Sequence, residues 1–156
     1  MPHPIDPDSF GFLVTDLSRL IRAEMDRRVA EAGLGITAGE ARVLSHAARA
    51  GAVRQNVLAE RVGVEAMTLS TYIDRLEARG FVIRKTDPAD RRAKLVELTR
   101  EADTVLAAIR PIAAAVRADA ARSIGPQDWD RLNAMLKTAR ANLTQQRAAD
   151  REEAAA

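Results

Sequence analysis

Apolar residues fall at Phe10, Leu13, Val14, Leu17, Leu20, Ile21 and Met25, and the pattern stops near Gly33 and Gly35. Steps of three and four keep such residues on one side of a helix, so a first helix is predicted from Phe10. "TAGEARVLSHAAR" follows, where Thr37 and Glu40 have the spacing of a capping box. In that motif each side chain satisfies a backbone N–H of the helix start, which places a second helix from about Ala38 to Arg49. "RQNVLAERVGV" predicts a short third helix that turns Val57, Leu58 and Val62 inward and stops at Gly63. "EAMTLSTYIDRLEARG" predicts a fourth, with Leu69, Ile73 and Leu76 on its inner face and Gly80 as its end. Two helices separated by a few residues around a glycine form the pattern of a helix-turn-helix.

The period then changes. "FVIRKT" and "AKLVEL" are rich in Phe, Val, Ile and Leu and flank the charged stretch Asp87 to Arg92. Pro88 cannot donate to a strand ladder, which suits a loop. A hairpin with a long exposed tip is predicted. Beyond it, Thr99 is placed to cap a helix carrying Val105, Ile109, Ile112 and Val116, with Pro111 inside it to bend it. Pro126 suits a first helical position and Asp128 a first turn. Trp129, Leu132, Met135, Leu136 and Leu143 then line another helix.

The expected organisation is a flexible leader over 1–9, an N-terminal dimerisation helix within 10–35 and a winged helix domain over 36–99. C-terminal dimerisation helices follow over 100–146, and a fraying tail over 147–156. The fold class is mainly α with a small β-hairpin wing. A segment of about 65 residues suffices for a winged helix core, so the apolar stripes of the first and last helices need another surface to cover them. A symmetric homodimer is the commonest way to supply one.

Composition narrows the function. The chain has no cysteine, which removes disulfides, thiolate metal sites and thiol-based sensing. No apolar run approaches the ~20 residues that cross a bilayer, and Met1 to Ser9 carries no Lys or Arg, unlike a secretory signal. The expectation is a cytoplasmic protein without a membrane partner. Net charge is only +2, but Arg54 to Arg100 holds ten Lys and Arg against seven Asp and Glu. That local excess permits contact with a polyanion.

Enzyme chemistry finds little support. There is no G-x-S-x-G elbow, and "GLGITAG" follows a helix with its last glycine one place late for a dinucleotide loop. With two histidines and no cysteine, a transition-metal site is not expected. His46 on an apolar helix reads as a packing residue, and no cofactor is expected.

A helix-turn-helix followed by a hairpin is the winged arrangement. A helix fits the ~12 Å major groove of B-DNA, and a cationic tip beside it reaches phosphate or the narrower groove, whose potential attracts Arg. Arg91 and Arg92 stand at that tip.

The run "LAERVGVEAMTLSTYIDRLEARGFVIRKTDPADRRAKLVELT", Leu58 to Thr99, resembles the core of the MarR family of bacterial transcriptional regulators. Relatives carry a helix of the form "TVSRLVDRLEARGLV", a wing with D-x-R and then L-T. Here these are "TLSTYIDRLEARGFV", Asp90-Arg91-Arg92 and Leu98-Thr99. The resemblance implies a homodimer with interlocked first and last helices. It also implies binding to double-stranded DNA at a two-fold symmetric site, often with affinity tuned by a small ligand. A repressor is the expected form, its effector held between the DNA lobe and the dimer helices.

Carried over by position, Thr68, Ser70 and Thr71 front the recognition helix, and Arg75 contacts phosphate one turn on. Gln55 begins the preceding helix, where such proteins touch the backbone. Arg92 is expected in the minor groove, and Asp90 is expected to shape the tip by pairing with a nearby arginine. Arg75 and Arg79 could instead pair with Asp74 or Glu77 on their own helix. Three positions depart from the family pattern: Thr71 replaces a frequent Arg, Glu65 a small capping residue and Ala102 a frequent Gly. Without a bidentate arginine at the helix front, Met67 and the threonine methyl groups are left to contact thymine, and shape readout gains weight. The alternative from another class is a winged helix that docks protein and never DNA.

Overall fold

The computed structural model describes residues 5–155; Met1 to Pro4 of the expected leader, and Ala156, lie outside them. The elements run α1 (Phe10–Glu31), α2 (Ala38–Ala50), β1 (Val53–Arg54), α3 (Gln55–Val62), α4 (Ala66–Ala78), β2 (Val82–Thr86), β3 (Lys94–Leu98), α5 (Ala102–Ala120) and α6 (Pro126–Ala155). The chain divides into two units, one ending at Val116 and the other beginning at Arg117.

Local chemistry sets the boundaries in the first unit. The Thr37 hydroxyl accepts the Glu40 N–H at 3.1 Å while the Glu40 carboxylate accepts the Thr37 N–H at 3.0 Å, so the capping box is closed. Gly63 takes φ +74° and ends α3, because a left-handed residue lets the chain turn back on the last carbonyls. Gly80 ends α4 in the same way, with Phe81 N–H reaching the Leu76 carbonyl at 2.9 Å. Gly39 answers a different need. A Cβ there would lie 2.4 Å from Cζ of Tyr72, so the missing side chain lets α4 approach the start of α2.

The core is built from Val43 and Leu44 of α2, Leu58 and Val62 of α3, and Leu69, Ile73 and Leu76 of α4, all fully buried. Val82 and Val96 close it from the sheet, and the C-terminal part of α1 adds Val29 and Met25. β2 and β3 pair antiparallel from Val82–Leu98 to Thr86–Lys94, with a tip over 87–93. β1 adds a third strand on the other side of β3, through Val53–Val96 and Arg54–Leu95. That strand is absent from the sequence reading because two residues are too short to show a period.

Two local expectations change. The Thr99 hydroxyl donates to the Gly80 carbonyl at 2.5 Å, so it ties the end of the wing to the end of α4. The expected fraying tail is helical to Ala155. Its alanines, glutamates and arginines are strong helix formers, and Gln146 donates to Asp150 one turn on at 2.7 Å. Pro111 sits inside α5 without ending it.

In the second unit α6 starts at Pro126 with Asp128 in its first turn and buries no residue, and Met135, Leu136 and Leu143 are exposed. In the first unit the N-terminal half of α1 is likewise bare. Phe10, Leu13, Val14, Leu17, Leu20 and Ile21 are all exposed. No helix among the described residues is long and apolar enough to cross a membrane.

Candidate nucleic-acid interface

α4 is anchored by one face and shows the other. Leu69, Ile73 and Leu76 are fully buried, and the opposite side carries Met67, Thr68, Thr71 and Arg75, all exposed. Met67 is 85% exposed, the most open large apolar residue among those described. Thr71 donates its hydroxyl to the Met67 carbonyl at 3.1 Å, which leaves its methyl group as the outward feature. Ser70 stands apart from this row: it is half-buried, and its carbonyl accepts from Arg84 at 3.3 Å.

Neither alternative pairing for the helix arginines forms. Arg75 is 3.9 Å from Glu40 and keeps 60% of its side chain exposed, a weak tie that leaves it able to move to a phosphate. Arg79 donates to the Gly35 carbonyl and lies 4.8 Å over the Phe81 ring, holding the loop before α2 against the end of α4.

Asp74 and Glu77 are taken by Arg84. From β2 this guanidinium reaches Asp74 at 2.7 Å and Glu77 at 2.8 Å, and its Nε donates to Gln55 at 3.2 Å. One side chain therefore ties the wing to α4 and to the first turn of α3. Sequence reasoning missed it, although a signal existed. Strand alternation puts Arg84 on the same side as buried Val82, and a cation on an inner face calls for carboxylates nearby.

The wing tip is framed by two aspartates. Asp87 is buried; its Oδ2 accepts from Arg54 Nε at 2.6 Å and its Oδ1 from the Ala89 N–H at 2.8 Å. The Ala89 N–H, opposed by partial burial and helped by the Arg54 charge, holds its carboxyl below the usual carboxylate range. Asp90 Oδ1 accepts the Arg92 N–H at 3.0 Å, and its carbonyl accepts the Ala93 N–H at 2.9 Å. The expected Asp90–arginine pair is thus replaced. Asp90 shapes the tip through backbone, and the aspartate–arginine pair belongs to Asp87 and Arg54. The reason is reach: Asp87 sits at the root of the tip, beside β1, where Arg54 arrives.

Arg91 and Arg92 point no charge back into the fold. Both are exposed, and neither guanidinium has an ion-pair or hydrogen-bond partner among the described residues. His46 is half-buried on α2, and burial, then the charges of Arg49, Arg22, Arg61 and Arg42, push its imidazole below its ordinary value. Among the described residues no group of three or more His, Cys, Asp or Glu is placed to hold a metal ion.

A helix-turn-helix backed by α2 and flanked by a three-stranded wing defines a winged helix protein. A model of the MarR family matches residues 36–94. The crystal structure of transcriptional regulator PA3341 is similar at 40% identity and TM-score 0.70, covering 87% of this chain and 98% of that one. A MarR-family transcriptional regulator from Silicibacter pomeroyi has 25% identity and TM-score 0.72, over 86% and 89%. Wild-type apo MarR from E. coli shares the fold at 22% identity and TM-score 0.68, over 88% and 98%. The chain belongs to the MarR family.

Proposed function

We propose that two copies of this chain form a homodimer that binds double-stranded DNA at a two-fold symmetric site and regulates transcription there. The observation that supports this reading most is the pairing, on one module, of a helix whose open face carries Met67, Thr68, Thr71 and Arg75 with a tip bearing two unspent guanidinium groups. Each α4 enters a major groove, with Met67, Thr68 and Thr71 toward base edges and Arg75 toward phosphate. Ser70 and Gln55 serve at the margin, where Arg84 holds them. Arg91 and Arg92 reach the minor groove or the phosphates beside it, and Asp90 keeps the tip in shape. The two-fold axis spaces the half-sites by about 10 base pairs or a multiple.

Repression follows where such a site overlaps a promoter. Tuning by a small effector is part of the same reading: a ligand that prefers one separation of the two recognition helices shifts the population toward it. Acting on chromosomal DNA, the protein works in the cytoplasm.

The test is a binding titration against the duplex flanking its own gene, at several salt concentrations. Parent protein should bind with a steep salt dependence, and Arg92→Ala should bind more weakly with the slope of log K against log salt reduced by about 1. Equal binding by parent and Arg92→Ala at every salt concentration rejects the wing assignment. Absence of binding by the parent favours the protein-docking alternative.

A further inference from the structure

α1 serves two ends. Its N-terminal half shows the open apolar row, while Met25 and Val29 nearer its other end pack into and against the core. Beside these two stand polar ties to other helices. Arg22 Nη2 donates to the Val62 carbonyl at 2.7 Å, across forty residues of chain. Arg42 Nη1 donates to both carboxylate oxygens of Asp26, at 3.2 and 3.1 Å. Arg22 and Asp26 are four residues apart, so they leave α1 on the same side, one toward α3 and the other toward α2.

The landing point of Arg22 is specific. Val62 is the last residue of α3, and the final carbonyls of a helix lack an intrahelical partner and carry the negative end of its dipole. A guanidinium satisfies both conditions. Gly63 leaves room for it, since a Cβ there would lie 3.1 Å from the same Nη2. α4 begins at Ala66, so Arg22 holds α1 to the turn of the helix-turn-helix itself. The apolar contacts of Met25 and Val29 have no preferred direction, whereas hydrogen bonds do. The two ties therefore add a directional resistance to tilting of the helix-turn-helix against α1.

We propose that Arg22, seconded by Asp26, is a positioning residue that fixes this angle and so sets the half-site spacing that the homodimer accepts. The proposal rests on the homodimer reading and deepens it, by naming residues that decide its specificity for spacing. With the two α1 helices as a common frame, a tilt of either helix-turn-helix displaces its α4 relative to the other copy's. A duplex with a wider gap between half-sites is then gripped at both ends only after Arg22 lets go of Val62. Arg22 touches no DNA in this role.

The experiment uses the full chain and the inverted repeat that the parent selects from random duplex DNA. Affinity is measured for that repeat, for the repeat with one base pair inserted between its half-sites, and for a single half-site. The insertion moves one half-site by about 3.4 Å along the axis and about a tenth of a turn around it. Arg22→Met should lower the preference for the selected spacing over the wider one by about tenfold, the worth of one hydrogen bond to a charged group. Its affinity for the single half-site and its slope of log K against log salt should equal the parent's. Arg22→Lys keeps a donor and should fall between the two, and Asp26→Asn should shift the preference in the same direction. Arg27→Met removes ion pairs with Glu24 and Glu31 that stay within α1, and it should behave as the parent does. All variants should sediment as dimers.

A parent-like preference in Arg22→Met overturns the proposal. Should that variant not fold, a parent-like preference in both Arg22→Lys and Asp26→Asn overturns it equally. Equal weakening on all three duplexes overturns it in favour of a role in holding α3 and α4 together. A lowered salt slope does so in favour of a phosphate contact, and a monomeric mass in favour of a dimer contact. A parent that selects no two-fold motif overturns the homodimer reading itself.

Discussion

Leu17→Glu together with Leu20→Glu should give a folded chain that sediments as a monomer and binds DNA about a hundredfold or more weakly, the scale of lost avidity. The two leucines lie three residues apart on α1 and are 49% and 53% exposed, in a row with Phe10, Leu13, Val14 and Ile21. Soluble monomers rarely leave a contiguous apolar row of this size open. None of these side chains belongs to the core that α2, α3 and α4 build with the sheet, so two carboxylates there leave that core intact. In a dimer they would sit inside an interface, where an unpaired charge is costly. Once the copies separate, the second half-site no longer benefits from being tethered to the first. Circular dichroism should show the helical content of the parent, and sedimentation equilibrium should give the mass of one chain. A variant that stays dimeric and binds DNA as the parent does would refute the role given to α1.

Leu69→Ala should destabilise the protein by about 2–5 kcal/mol, the usual cost of emptying a fully buried leucine site. Leu69 has no exposed surface and lies one turn from Ile73, in the row that fixes the recognition helix to α2 and α3. Domains of this size keep only about 5–15 kcal/mol in total, so the substitution removes a large share. Urea titration should show a lower midpoint with an unchanged slope, the sign of lost stability without a changed unfolded state. Met67→Ala supplies the contrast two residues away. With its side chain in solvent, its stability should stay within about 0.5 kcal/mol of the parent, and any loss of DNA affinity is then a contact effect. A small effect at Leu69, or a large one at Met67, would mean that α4 presents a different face.

Much of this was legible in the sequence. Thr37 and Glu40 marked a helix start that the structure closes with two hydrogen bonds. Leu69, Ile73 and Leu76 marked the inner face of α4, and the change of period after Gly80 marked the wing. The hidden parts depend on partners distant in sequence. Arg54 and Asp87 are thirty-three residues apart, and their pairing needs β1 to lie beside β3. Arg84 looks like one more charged residue until Asp74, Glu77 and Gln55 are seen around it. Asp90 and Asp87 share a loop and a side-chain type, and only the backbone path decides which meets the arginine. The tie from Arg22 to Val62 was out of reach for the same reason, because its two ends are forty residues apart.

The most direct measurement is selection of bound fragments from random duplex DNA by the full-length protein. Enrichment of an inverted repeat, with half-sites about 10 base pairs apart or a multiple of that, is the expected result. No enrichment, or enrichment of a motif lacking two-fold symmetry, would contradict a paired winged helix that reads both halves of one operator.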